Sequence, residues 1–187
     1  MMLQAILNAT VVSRSEKARN SDVRRPFWTP LRIARMAIFI ALSYIGALIK
    51  IPSPTGTVAM DSCPGYFSAL AWGYIEGAIV ISLGHIFTAA SVGFPLGLPM
   101  HLLIAIQMAL WAMVLRFLAH KVHWIAGIIV TAFCNSVVSG AVAGMIISWG
   151  LFWAILPSLI FASFINIVVA TVAWLTIKKN AASLLEM

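Results

Sequence analysis

Between Leu31 and Ile177 the apolar residues run in long blocks, broken only briefly by charge, proline or glycine. Runs of that length, without strict alternation, read as membrane helices and not as strands of a barrel. The first covers roughly Leu31 to Ile49 and is stopped by Lys50 and Pro52-Ser53-Pro54. A loop follows to about Met60. The second block, Asp61 to Trp72, is short, and Gly73 to Gly77 predicts a tight turn. The third runs from about Ile75 to Ala90. Ser91 to Gly97, with Gly93, Pro95 and Gly97, is a loop. The fourth covers Leu98 to Leu118 and ends at the basic turn His120-Lys121-Val122-His123. The fifth runs from Trp124 to Ile147, and Gly150 marks a break. The sixth extends from Phe152 to Ile177. The pattern therefore predicts an all-α membrane protein, a bundle of six transmembrane helices. Three parts are expected: a basic tail over 1–26, a transmembrane domain over 27–180 and a short tail over 181–187.

Composition agrees with this reading. Of the 187 residues, 62% are hydrophobic and only 9% charged, too little polar surface for a water-soluble domain. The net charge of +7 would suggest nucleic acid on a soluble protein. Here the basic residues flank apolar blocks, where they orient helices, so no nucleic-acid partner is expected. With both termini placed in the cytoplasm, eleven of the twelve Lys and Arg fall on the inner side, and only Lys50 on the outer. That asymmetry follows the positive-inside rule. Trp28, Trp72, Trp124 and Trp174 then sit at the inner interface and Trp149 at the outer one. The N-terminal stretch lacks the basic leading region of a signal peptide. Cys63 and Cys134 form no metal-spaced pair.

Enzyme signatures are missing: there is no GxSxG, HExxH or GxxxxGK[ST]. Asp61 and Glu76 are the only acidic residues near the blocks. Six crossings put them on opposite sides, where they cannot act as an acid–base pair. Neither enzymatic activity nor a cofactor is expected. Small residues recur at helical spacing. Ala37 and Ala41 form an AxxxA step, Gly73–Gly77 and Gly140–Gly144 form GxxxG steps, and Ser136, Gly140, Gly144 and Ser148 share a line. Close internal packing is the plain explanation, and docking to a second membrane subunit the sharper one.

Polar side chains inside apolar blocks are few and therefore informative. Thr131, Asn135 and Ser139 stack on one face of the fifth block, and Ser158, Ala162, Asn166 and Ala170 on one face of the sixth. Asn135 is the better candidate for ligand contact, because Asn166 is expected deeper toward the cytoplasm. The outer half gathers Asp61, Tyr66, His85, Phe94, His101, Trp149 and Trp153. Rings can sandwich a flat heterocycle while Asp and His bond its hydroxyls or ring nitrogens. Each has a bland alternative: interface anchor for Trp149, structural hydrogen bond for either histidine, helix cap for Asp61. Two histidines on separate helices do not make a metal motif, and no metal site is expected.

Pro64-Gly-Tyr-Phe-Ser-Ala-Leu70, followed by Gly73, Gly77-Ala78 and Gly84-His85, resembles the second and third helices of substrate-binding (S) components of energy-coupling factor (ECF) transporters. Ala37 and Ala41 resemble that family's first-helix AxxxA motif, which contacts a shared transmembrane coupling subunit. The resemblance covers about residues 31 to 178. Within the family, Met60-Asp-Ser-Cys-Pro-Gly-Tyr66 and Gly93-Phe-Pro-Leu-Gly-Leu-Pro-Met-His101 are most similar to components assigned to α-ribazole, a cobalamin precursor. The chain begins Met-Met-Leu and lacks the Met-His start of nickel and cobalt components. The resemblance implies a bacterial cell-membrane protein that captures its vitamin at the outer face. It further implies uptake driven by two ATPase subunits through the coupling subunit. Riboflavin, thiamine, pyridoxine and cobalamin stay open as alternative ligands, and an autonomous transporter as an alternative mechanism.

Overall fold

The computed structural model describes residues 27–185, together with Met1, Met2, Gln4 and Thr10, with side chains described as far as Asn180. Arg14, Lys17, Arg19, Arg24 and Arg25 of the expected basic tail lie outside the described residues. The chain divides into two units, Met1–Ile33 and Ala34–Met187.

In the first unit, the start of helix α1 (Pro30–Gly46) is set locally. Thr29 Oγ1 accepts the Arg32 N–H at 3.2 Å, and Pro30 begins the helix where its missing N–H costs nothing. The Arg32 guanidinium lies 3.7 Å from the centre of the Phe27 ring and donates to the Phe27 carbonyl at 3.0 Å.

Among its described residues the second unit has helices joined by loops and no strand, with one isolated bridge between Lys50 and Ala59. Its elements after α1 are α2 (Cys63–Ala71), α3 (Tyr74–Ser91), α4 (Leu98–Lys121), α5 (Trp124–Ile146) and α6 (Trp149–Leu185). The helices α3, α4, α5 and α6 are long and apolar enough to cross a membrane. Helix α1, with 17 residues, is marginal. Helix α2, with nine residues, is roughly 13 Å long at 1.5 Å per residue, well short of a hydrocarbon core of about 30 Å. The non-helical stretch before it is itself buried at Val58, Ala59, Asp61 and Ser62. Such backbone is tolerated at membrane depth only where protein covers it.

Several expected boundaries move, each for a local reason. The turn expected over Gly73 to Gly77 is confined to Trp72 and Gly73. Gly77 belongs to α3, where its missing side chain lets the helix meet α2: a Cβ there would overlap Ala69. Glu76 in the first turn of α3 suits the positive end of the helix dipole. The break expected at Gly150 falls at Ile147-Ser148, because Ser148 Oγ accepts the Leu151 N–H at 3.2 Å and caps α6. Helix α6 consequently starts before Phe152, and it runs on past Ile177. Helix α4 absorbs His120 and Lys121 from the expected turn. Helix α5 contains a π-helical turn, Cys134–Val138, which a regular periodicity does not anticipate.

Tyr66, Leu70, Ile81, Leu115, Ile128, Ile167 and Trp174 form the centre of the core, contributed by α2 to α6. Around it the outward faces are apolar, with Ile38, Leu42, Phe87, Ile106, Phe117, Ile129 and Val172 exposed, as suits a lipid-facing surface. Small residues fix the closest approaches. A Cβ at Gly65 would overlap Ile81, and one at Gly84 would lie 2.6 Å from Ser43 Cβ. Gly140 and Gly144 face Phe152, so this GxxxG step packs α5 against α6.

The two ends of α2 lie inside the bundle, and neighbouring side chains satisfy them. At its N-terminus the Cys63 N–H donates to Asn166 Oδ1 of α6 at 2.8 Å. At its C-terminus Arg116 Nη1 of α4 donates to the carbonyls of Ala69 and Leu70, at 2.5 and 2.8 Å. His120 Nε2 lies 3.0 Å from the Leu70 oxygen. Removing a charged donor from buried carbonyls costs about 1.5–3 kcal/mol. Arg116→Met should therefore lower the unfolding free energy in mixed micelles by about 2 kcal/mol or more. An unchanged value would mean that water or lipid serves those carbonyls instead.

Candidate functional site

A cavity opens within the second unit at the end of the bundle away from Arg116. The hairpin-like loop between α1 and α2 forms one wall. Within it Ile51 N–H donates to Val58 O at 3.0 Å and Met60 N–H to Ile49 O at 3.1 Å. Gly56, at φ +66°, makes the turn. Thr55, Thr57, Val58 and Ala59 of this loop line the cavity. The remaining walls come from Asp61 and Ser62, His85 of α3, Leu96, Ile104 and Met108 of α4, Asn135 to Ala143 of α5 and Ile155 to Ser163 of α6. The empty space between these walls is about 730 Å³, open solvent at the mouth included.

Two anchors hold the loop over the cavity. Ser158 Oγ donates to the Pro52 carbonyl at 2.6 Å. Asn166 Nδ2 lies 3.1 Å from the Ala59 carbonyl and 2.9 Å from that of Ala162. Asn166 thus sits beside the cavity's loop and the start of α2. It lies one turn of α6 beyond Ser163, the partner of Asn135, and so below the cavity lining. Its amide is fully used by backbone groups, which makes it structural.

The polar groups of α5 lie at its π turn. Asn135, four residues before Ser139 and so on the same face, borders the cavity together with Ser139 and the adjacent Gly140. Asn135 Nδ2 donates to Ser163 Oγ at 2.8 Å, and Trp111 Nε1 donates to Ser139 Oγ at 2.8 Å. Both hydroxyls keep capacity to reach a ligand. Ser163 escaped the sequence reading; the available signal was a hydroxyl within an apolar run, one turn before Asn166.

Asp61 is 5% exposed, borders the cavity and has an Oδ2 without a hydrogen-bond partner. It does not cap α2: the N-cap residue is Ser62, and Asn166 meets the first N–H. An orphaned carboxylate oxygen in a buried wall is costly unless a ligand supplies a donor. His85 also lines the cavity, and its Nε2 lies 3.2 Å from Nδ1 of the fully buried His101. The pair shares one proton along this contact, so the tautomer of His101 sets that of His85. His101 stands behind His85 and is absent from the lining. The Phe94 ring backs it at 5.7 Å, in a loop where Phe94 itself adopts φ +51°. Such a conformation is uncommon for a residue with a side chain.

The four expected stacking rings lie outside the cavity lining. Tyr66 is fully buried in the core below, and Phe94 packs behind the histidines. Trp149 and Trp153, at i and i+4, occupy the outer face of α6 with 53% and 66% exposure. Periodicity puts these rings at the right level of the bundle but does not fix the direction in which they point. The walls instead offer aliphatic surface from Ile104, Met108, Ile155 and Leu159. Among the described residues no group of three or more His, Cys, Asp or Glu could hold a metal ion, and Cys63 and Cys134 are both free thiols.

Residues 31–177 match the family described as "ECF transporter, substrate-specific component". The fold is similar to a solved structure described as "Structure and mechanism of the S component of a bacterial ECF transporter". The TM-score is 0.59 at 17% identity, covering 83% of this chain and 98% of that one. No curated protein sequence matches. A family match over residues 31–177 of this helical bundle identifies the protein as a substrate-specific component of the energy-coupling factor transporters.

Proposed function

We propose that this component captures α-ribazole at the extracellular face of a bacterial cell membrane. It then delivers the ligand inward with a transmembrane coupling subunit and two ATPase subunits. The observation that carries the reading is the cavity wall itself. It combines the unpartnered Oδ2 of Asp61 with His85, Asn135, Ser139 and Ser163, and sets aliphatic surface opposite them. A ribose offers hydroxyl donors to the first group. A flat dimethylated base suits the slot between Ile104, Met108, Ile155 and Leu159, where aliphatic contacts replace ring stacking.

Orientation follows from charge. Arg35, Arg116, His120 and Lys178 gather at one end through Trp72, the end of α2 and Trp174. Lys50 is the cation beside the loop at the cavity end. With the basic end cytoplasmic, both termini lie inside and the cavity opens outward. Six crossings result when the buried stretch ahead of α2 completes the second. Ala37 and Ala41 are exposed on α1, free for the coupling subunit. In this mechanism the loaded component topples in the membrane and the loop over the cavity acts as the gate.

Calorimetry of the purified protein against α-ribazole, dimethylbenzimidazole, riboflavin, thiamine, pyridoxine and cobalamin tests the ligand. Saturable one-to-one binding of α-ribazole above the others is expected, and exclusive binding of a different vitamin would replace this assignment. Asp61→Ala should weaken binding at least about tenfold, the cost of a lost charged hydrogen bond. Binding equal to that of the unaltered protein would remove Asp61 from the site. Ala37→Trp should spare binding and abolish uptake in the assembled transporter. Uptake at the normal rate would locate the docking face elsewhere. Linking Pro52→Cys to Ser158→Cys, with Cys63 and Cys134 replaced by Ala, should block ligand entry until the link is reduced. Entry through the closed link would exclude the loop as the gate.

A further inference from the structure

At the end opposite the cavity, a second concavity lies between α1, α2 and α6. Phe39, Phe67, Ala71, Trp72, Trp174 and Ile177 line it, and Lys178 stands at its rim. The rings form a continuous apolar wall: Phe39 stacks on Phe67 at 5.3 Å and meets Trp72 edge-on at 4.6 Å. Two cations crown this wall. Arg35 lies 5.1 Å from the centre of the Trp72 ring, and Lys178 Nζ lies 5.2 Å from that of Trp174. Arg35 Nε is buried and has no hydrogen-bond partner. Glu76, the carboxylate at this end, is buried in the first turn of α3, beside Gly73.

An apolar trough with a lysine at its rim and an arginine over one of its tryptophans complements a molecule that has an acyl chain and an anionic head. We propose that this groove seats an anionic phospholipid of the inner leaflet. Its phosphate lies between Arg35 and Lys178, and an acyl chain runs along Phe39, Phe67, Trp72 and Trp174. The proposal rests on the membrane orientation argued above. Charge complementarity favours lipid over a protein partner. A bilayer supplies anionic head groups at this level, and tryptophans with flanking cations match its interface. Helical geometry also separates the groove from the docking step: Phe39 is about 160–200° around α1 from Ala37 and Ala41. Lipid could therefore remain seated while the coupling subunit engages the small-residue face.

The test is native mass spectrometry of the full chain, released from nanodiscs of equal phosphatidylglycerol and phosphatidylcholine. Preferential retention of one phosphatidylglycerol is expected. Arg35→Gln and Lys178→Gln should each reduce the preference about fivefold, the effect of one cation at a membrane surface. Arg35→Lys should keep it, which separates lost charge from lost folding. Equal retention of both lipids would overturn the proposal. So would an undiminished preference in the double Gln variant. Loss of the coupling subunit from that variant, with lipid preference intact, would make the groove a protein dock instead. Calorimetry with α-ribazole on the same preparation separates the two readings: binding of the vitamin without lipid preference sinks only the groove, and the reverse sinks only the ligand assignment.

Discussion

The short helix α2 poses the constraint around which the bundle is arranged. A nine-residue helix cannot bring both of its ends out to water, so its unpaired amides and carbonyls stay within the protein. Asn166 serves one end, and Arg116 with His120 the other. Those side chains belong to α6 and α4, so the polar requirements of α2 fix the relative height of three helices. Gly77 against Ala69 and Gly65 against Ile81 then fix how closely α3 approaches. Shape and hydrogen bonding act together here, as they must where lipid offers no hydrophobic gain for helix association.

That arrangement separates two chemistries along the bundle axis. Basic side chains collect where α2 ends, and Arg116 and His120 meet its last carbonyls there. Neutral hydroxyls and amides, one carboxylate and an imidazole collect where α2 begins, around the cavity that forms where the chain before α2 is not helical. A full-length second helix would fill that space. Shortening it frees room for the loop, and the loop contributes Thr55, Thr57, Val58 and Ala59 to the cavity.

Much of this was legible from residue order. Long apolar runs marked every helix, and the shortness of the second was visible between Asp61 and Trp72. Asp61, His85 and Asn135 stood out as polar groups in apolar surroundings, and all three border the cavity. The rings were harder to place. Tyr66, Phe94, Trp149 and Trp153 lie near the right level, yet a helix that is apolar on every side does not reveal which face turns inward. The π turn at Cys134–Val138 was invisible for a related reason: its i→i+5 bonds leave no mark in composition, and they shift the faces of everything beyond it in α5.

The double engagement of Asn166 has a mechanical corollary. One side of its amide holds the loop through Ala59, and the other holds the first N–H of α2. Displacing the loop takes one partner from this amide while α2 keeps the other. Movement of the loop is thereby geared to the seating of a buried helix, which extends toward the other end of the bundle. A molecule that pries at the loop on one side tugs, through a single carboxamide, on the element whose far tip is gripped by Arg116.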